Sequence, residues 1–192
     1  MGDKGLTLSP ILCDGMILQR DTFNHIYGTE TKADTVTVYF MGKELSARVD
    51  DNFDFSVELP AIAAGGPYSM TVKGSSEIMI SDILFGDVYV LSGQSNMELP
   101  VRRVLDVSAA EIENTYEPLI RQYLIPATYN FSKPEKYMYA GLWKKAMGED
   151  LMGFSATGFF FAKEIKEAYH VPVGLILTAV GGCSVESWMN PV

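Results

Sequence analysis

The stretch Ile83–Leu91, "ILFGDVYVL", followed by Ser92-Gly93-Gln94-Ser95-Asn96, decides the fold. A nearly continuous apolar run suits a strand covered on both faces, as in a parallel sheet. The run stops at Gly93, and no charge follows until Glu98. Two readings compete at Ser95. Its hydroxyl can cap the next helix within a solvated turn, or it can stand exposed as a nucleophile. Glycine lets the backbone bend sharply there, and bare amides at the bend can hold an oxyanion. The pattern is not the Gly-x-Ser-x-Gly elbow, so that motif does not apply. Ser92 is the neighbouring rival and is expected to be buried at the strand's end.

Downstream, "LIRQYLI" (Leu119–Ile125) reads as a second buried strand and "VGLILTAV" (Val173–Val180) as a third. Between them, "SATGFFFAKEIKEAYH" reads as a helix with Ser155 as N-cap and Pro172 beyond its end. Gly158, Phe161, Ala162, Ile165 and Tyr169 are placed on its buried face. Strand, helix, strand at this spacing predicts βαβ units and a parallel sheet. "RRVLDVSAAEIENTY" has room for a short helix. "PATYNFSKPEKYMYAGLWKKAMGED" carries too much Pro, Gly and Tyr for regular structure and reads as a long surface excursion bordering the active site.

Upstream the pattern differs. "DTVTVYF" alternates Val36, Val38 and Phe40 against Thr35, Thr37 and Tyr39, and "ELSARV", "FDFSVEL" and "GGPYSMTVKG" supply further short strands. Closely spaced strands with Gly, Asp and Asn breaks predict a small antiparallel sandwich. The expected organisation is a β-sandwich-like domain over residues 1–80 and the first half of an α/β domain over 81–192. Asp50, Asn52 and Asp54 occupy the first three ligand positions of a calcium loop. That loop's Gly and Glu are missing, so they read as a hairpin turn.

The 192 residues carry a formal charge of -9, which argues against a nucleic-acid partner and against an anionic membrane surface. No apolar run approaches the roughly 20 residues that span a bilayer. The first ten residues lack the apolar core of a secretory signal, which leaves the compartment open to a signal removed earlier. Cys13 and Cys183 read as two free thiols, since two cysteines make no disulfide framework. Asn130-Phe131-Ser132 fits a glycosylation acceptor, a pattern short enough to arise by chance. No nucleotide-binding glycine motif and no His/Cys/carboxylate cluster occurs, so neither cofactor nor metal is expected.

"GDVYVLSGQSNMELPV" and "VGLILTAVGGCSVESWMNP" together resemble the sialate O-acetylesterase family, a branch of the SGNH-type serine esterases. "LSPILCDGMILQRD" and the strands after it resemble that family's N-terminal β domain, and "LWKKA" with "FSATGFFFAKEI" resembles the segment ahead of its second catalytic block. The resemblance implies a partial flavodoxin-like sheet, Ser95 as nucleophile, and an oxyanion hole from the N–H of Ser95 and of Gly181 or Gly182, with Gly182 favoured. It implies that Gln94, Asn96, Glu186 and Trp188 shape the site and that the substrate is an acetylated sugar, sialic acid being the family's namesake. Cys183 stands where the family carries Thr or Ser; with no base evident beside it, it is not read as a nucleophile. The family's Gln-Gly-Glu and Asp-x-x-His blocks are absent. The only histidines are His25, read as structural in the β domain, and His170, read as complementing a helix end. A serine with no positioned base is a weak nucleophile. The chain is therefore expected to be the N-terminal part of a longer enzyme whose base lies beyond Val192, and to be inactive alone. A carbohydrate-binding or interaction module without turnover is the alternative. The open edge of a half sheet suggests a homodimer.

Overall fold

The structure is a computed structural model, and it describes residues 5–128 and 140–189. The expected glycosylation acceptor lies outside them. The N-terminal strands are β1 (Thr7–Leu8), β2 (Ile17–Gln19), β3 (Asn24–Thr29), β4 (Thr35–Phe40), β5 (Lys43–Arg48), β6 (Asp54–Leu59) and β7 (Gly65–Lys73). Strand β8 (Glu77–Leu91) leads into helix α1 (Ser95–Glu98), a 3-10 turn at Val101–Arg103 and helix α2 (Leu105–Ile112). Then come β9 (Tyr116–Leu124), β10 (Trp143–Met147), α3 (Gly148–Leu151), α4 (Ala156–Tyr169), β11 (Val173–Leu177) and a second 3-10 turn, Val185–Trp188. The architecture is α/β with mixed sheets.

Strands β1, β3 and β6 form a three-stranded antiparallel sheet. The second sheet runs β10-β9-β11-β8-β7-β4-β5, with β2 alongside β8. Strand β11 is parallel to both β8 and β9, as the βαβ reading predicts, and it lies between them. Period-2 alternation sets the first core. Val36, Val38 and Phe40 of β4 point inward and share a buried cluster with Ile26, Phe55, Val57 and Leu59 of the three-stranded sheet. A second cluster, with Leu91, Ile120, Phe159, Ala162, Leu175 and Leu177, lies where α4 packs on the parallel strands.

One strand joins the two regions. Residues 77–85 of β8 pair antiparallel with β7, and residues 87–91 pair parallel with β11. The sheet is thus continuous through residue 80. Gly86 marks the changeover: a Cβ there would lie 2.0 Å from the carbonyl oxygen of Pro172, closer than any side chain permits.

Four sequence expectations need correction. The run Ile83–Leu91 is not covered throughout. Ile83, Leu84 and Phe85 are buried, but Val90 is 65% exposed, because β2 pairs with β8 only as far as Gly86. On α4, Ser155 caps as expected, accepting from the Gly158 N–H at 3.0 Å. Its buried face, however, centres on Phe159 and Ala162. Phe161 and Tyr169 are exposed, Phe161 lying edge-on against Tyr89. "WKKAM" is not irregular: β10 pairs antiparallel with β9, and a bulge between Lys145 and Ala146 interrupts the alternation that would have revealed it. Finally, Asp50 does close a tight turn, accepting from the N–H groups of Asn52 and Asp54. That turn is not a hairpin, since β5 pairs with β4 and β6 with β3. The short helix expected after Arg103 is present as α2, and both cysteines are free thiols.

Candidate active site

Strands β8 and β11 end side by side, and their C-terminal turns are laced together by backbone. Thr178 and Ala179 N–H both donate to Leu91 O (2.9 and 3.1 Å), and Val180 N–H donates to Gly93 O (3.0 Å). Gln94 adds a side-chain tie, its Nε2 donating to Cys183 O at 3.3 Å. The Gly-Gln-Ser-Asn turn and the Gly181-Gly182 turn therefore occupy the same rim of the sheet, where parallel α/β folds gather ligands.

Each turn has a physical reason for its glycines. Gly93 has φ +122° and Gly182 φ +80°, in the range that favours glycine. Gly182 is the third residue of a turn closed by Cys183 N–H donating to Val180 O at 3.3 Å. Gly181 brings its turn close to α1. A Cβ on it would meet Glu98 Oε2 at 2.7 Å and stand 3.9 Å from both Cα and Cβ of Ser95. The two turns touch at Ser95.

Ser95 is the first residue of α1 and is exposed. The capping reading fails here. Gln94 holds the N-cap position, no side-chain cap bond forms, and the Ser95 hydroxyl has no hydrogen-bond partner among the described residues. Ser92, expected to be buried, is exposed, because β8 has no neighbour on that side at its C-terminal end. The floor under α1 is the N-terminus of α4. Ser155 Oγ donates to Met97 O at 2.6 Å, Thr157 Oγ1 to Asn96 O at 3.2 Å, and Ala156 N–H to Leu99 O at 2.8 Å. These contacts fix the serine's backbone while leaving its side chain free.

Sequence reasoning missed Glu98. Its Oε2 accepts a hydrogen bond from the Gly181 N–H at 2.5 Å. Among the described residues the N–H groups of Ser95 and Gly182 carry no partner, whereas that of Gly181 is taken by Glu98. The only available signal was a lone charge three residues after the serine. Beside Ser95 opens a cleft of about 390 Å³, also lined by Glu98, Leu99, Arg102, Arg103 and Leu124. Glu186 and Trp188 stand exposed on the 3-10 turn after the paired glycines and do not line this cleft. The hydrogen bond from the Ser184 side chain holds the Glu186 carboxyl below its ordinary range.

Neither histidine is near Ser95. His170 caps the far end of α4, which at 1.5 Å per residue is about 20 Å from the turn that touches α1. His25 lies on β3, with Nδ1 on Ser56 Oγ (3.1 Å) and Nε2 4.0 Å from Glu58. Among the described residues no cluster of three or more His, Cys, Asp or Glu could hold a metal ion.

A family model described as "Carbohydrate esterase, sialic acid-specific acetylesterase" matches residues 85–191. The protein is thus of the carbohydrate esterase class. Within that class, it belongs to the sialic acid-specific acetylesterase family. It is 28% identical to the sialate O-acetylesterase of Pongo abelii and 26% identical to that of Homo sapiens, in each case over 97% of this chain. The chain spans 39% of the length of these relatives. Among solved structures, a carbohydrate acetylesterase from Xanthomonas citri superposes with a TM-score of 0.89 and 35% identity, covering 96% of this chain and 42% of that one.

Proposed function

We propose that the whole protein hydrolyses O-acetyl esters on sugars, sialic acid among them, through an acetyl-serine intermediate at Ser95. The observation that carries this is the free, exposed Ser95 hydroxyl held against the Gly181-Gly182 turn, in a chain of this family. In the proposed reaction Ser95 Oγ attacks the acetyl carbonyl and its proton passes to a base. The carbonyl oxygen, now negative, is held by the Ser95 and Gly182 N–H groups; one such donor is worth about 3 kcal/mol of barrier. Collapse expels the sugar oxygen, which takes the proton back. Water then attacks the acetyl-serine, releasing acetate and restoring the hydroxyl. The chemistry calls for no cofactor or metal.

The base is read as an imidazole from outside these 192 residues, because His170 lies at the far end of α4 and His25 on β3. We therefore read this chain as the platform and nucleophile half of a larger esterase with negligible turnover alone. Residues 1–80 are read as a β-sandwich-like domain and 81–192 as part of a flavodoxin-like sheet of the SGNH type.

The lack of an imidazole beside Ser95 also favours a second reading, a carbohydrate-binding module without turnover. Acetate release from an acetylated sugar or p-nitrophenyl acetate by the full-length protein separates the two. Ser95→Ala should abolish release. Glycan binding with no hydrolysis would establish the module instead.

A further inference from the structure

The rim that carries Ser95 continues away from it as a row of leucines. Leu177 of β11 is the register partner of both Leu91 of β8 and Leu124 of β9. Leu142 extends the row, because it precedes Trp143, which pairs with Tyr123 in the antiparallel β9–β10 ladder. The four leucines therefore cross four neighbouring strands in the order β8, β11, β9, β10, a span of about 14 Å. Burial fades along the row: Leu91 and Leu177 are buried, Leu124 is 49% exposed and Leu142 is 70% exposed. The cleft beside Ser95 follows it. A second cleft of about 480 Å³, lined by Pro126, Leu142 and Phe154, shares Leu124 and Gly153 with the first. The two make one trough leading away from the nucleophile. Exposed leucines grouped in a groove mark a binding surface for apolar groups. The polar side chains of the second cleft are already occupied. Gln122 Oε1 accepts from the Ser155 N–H at 2.9 Å, and Lys144 pairs with Asp150 at 2.8 Å. A sugar ring laid there would leave hydroxyls without partners, which costs free energy, whereas an aliphatic chain has none to satisfy. An acetyl group, with its single methyl, leaves most of the trough empty.

We propose that this trough takes the acyl chain of an ester, so that the enzyme also hydrolyses esters of medium-chain fatty acids. The activity goes beyond acetyl release and rests on the reading of Ser95 as the nucleophile. Ser95 Oγ bonds to the acyl carbon, the ester C–O bond breaks, and the alcohol leaves with the proton. Water then releases the free acid and restores the hydroxyl. The leucines hold the chain, and Leu124 and Leu142 set how long it can be.

The test crosses chain length with position along the row. Release of p-nitrophenol by the full-length protein is measured on the acetyl, butyryl, hexanoyl and octanoyl esters. The wild type should hydrolyse the octanoyl ester with a kcat/KM at or above that for acetyl, each methylene that is fully buried contributing about fourfold. Leu124 and Leu142 are exposed, so a polar replacement at either is compatible with the fold. Leu124→Asp should lower the octanoyl-to-acetyl ratio of kcat/KM by about tenfold or more, mostly through KM. Leu124→Met should restore the ratio. Leu142→Asp, one strand farther from Ser95, should lower it less and leave the butyryl-to-acetyl ratio as in the wild type. A wild-type kcat/KM that falls from acetyl to octanoyl overturns the proposal. So does a Leu124→Asp variant that keeps the ratio or loses all four esters equally. Failure of the underlying reading looks different: release from every ester would survive Ser95→Ala.

Discussion

Glu98 and Gly181 lie 83 residues apart in sequence, yet the Gly181 N–H points at the Glu98 carboxylate at 2.5 Å. The contact pins the glycine turn against α1 and occupies the Gly181 N–H. Losing it should let the turn drift, and a misplaced oxyanion donor costs on the order of ten- to a hundredfold in rate. Glu98→Ala in the full-length protein should therefore lower kcat on p-nitrophenyl acetate by about that factor, with a smaller change in KM. Glu98→Gln keeps a carbonyl acceptor at the same reach and should recover most of the loss. An alanine variant with an unchanged kcat would show that the turn holds itself.

Much of this site is legible in the sequence, because two strand-ending glycine turns at βαβ spacing come together on one rim. The position of Glu98 is not legible, since it depends on where a charged side chain points after the chain has folded. The same division runs through the fold. Period-2 alternation in Thr35–Phe40 and the Ser155 cap are local patterns and could be read directly. The burial of Phe159 rather than Phe161 could not, because three successive phenylalanines fit the helical period in more than one register. Strand β8 hides in plain sight. Its first half alternates, its second half is continuously apolar, and the change of partner at Gly86 reads in sequence like a change of domain.

That change of partner predicts a sensitive position. Gly86 lies between the antiparallel and parallel halves of β8, and Asp87 N–H donates to Pro172 O at 2.9 Å just beside it. A methyl group at residue 86 would need the Pro172 carbonyl to move, breaking that bond. Gly86→Ala should destabilise the protein by about 1–3 kcal/mol, the range for overpacking. Urea denaturation with an unchanged m-value and a lowered midpoint would record it. A midpoint equal to wild type would mean that the strands can part there without penalty.

Arg121 makes a second junction between the two regions. It is 3% exposed, and its guanidinium donates to Gly15 O (2.7 Å), Asp82 O (2.6 Å), Asp82 Oδ1 (2.8 Å) and Pro118 O (3.2 Å). Asp82 is also held by Lys145 at 2.9 Å. Burial alone would raise the Asp82 carboxyl, but the hydrogen bonds from Lys145 and Arg121 outweigh it and hold it below its ordinary range. Removing the guanidinium leaves the carbonyls of Gly15, Asp82 and Pro118 without their donor, at about 1–3 kcal/mol. Arg121→Ala should unfold at markedly lower urea. Arg121→Lys should recover little, because one ammonium cannot reach all of those acceptors. Full recovery by lysine would reduce the site to simple charge pairing.

The Glu30 carboxylate provides a pH signature separate from catalysis. It is fully buried, and it accepts from Ser75 N–H (2.7 Å), Ser75 Oγ (2.8 and 2.9 Å to its two oxygens) and Lys32 N–H (2.7 Å). Burial pushes its pKa up; the hydrogen bonds from Ser75, Lys32 and Ala33 together push it further down, and the net direction is below the ordinary value. A depressed pKa in the folded state means that the unfolded chain takes up the proton first as pH falls. The stabilisation is therefore complete above the unfolded value of about 4.3 and is lost as pH drops through the lower folded one. Glu30→Gln keeps the size, removes the charge, and turns an acceptor oxygen into an N–H₂ facing amide donors. It should lower stability at neutral pH by about 1–3 kcal/mol, and the gap to wild type should narrow steadily below about pH 4.3. Urea midpoints for the two proteins between pH 3 and 7 measure this directly. Parallel curves over that range would mean that Glu30 binds its proton equally in the folded and unfolded states, and that its hydrogen bonds do not depend on its charge.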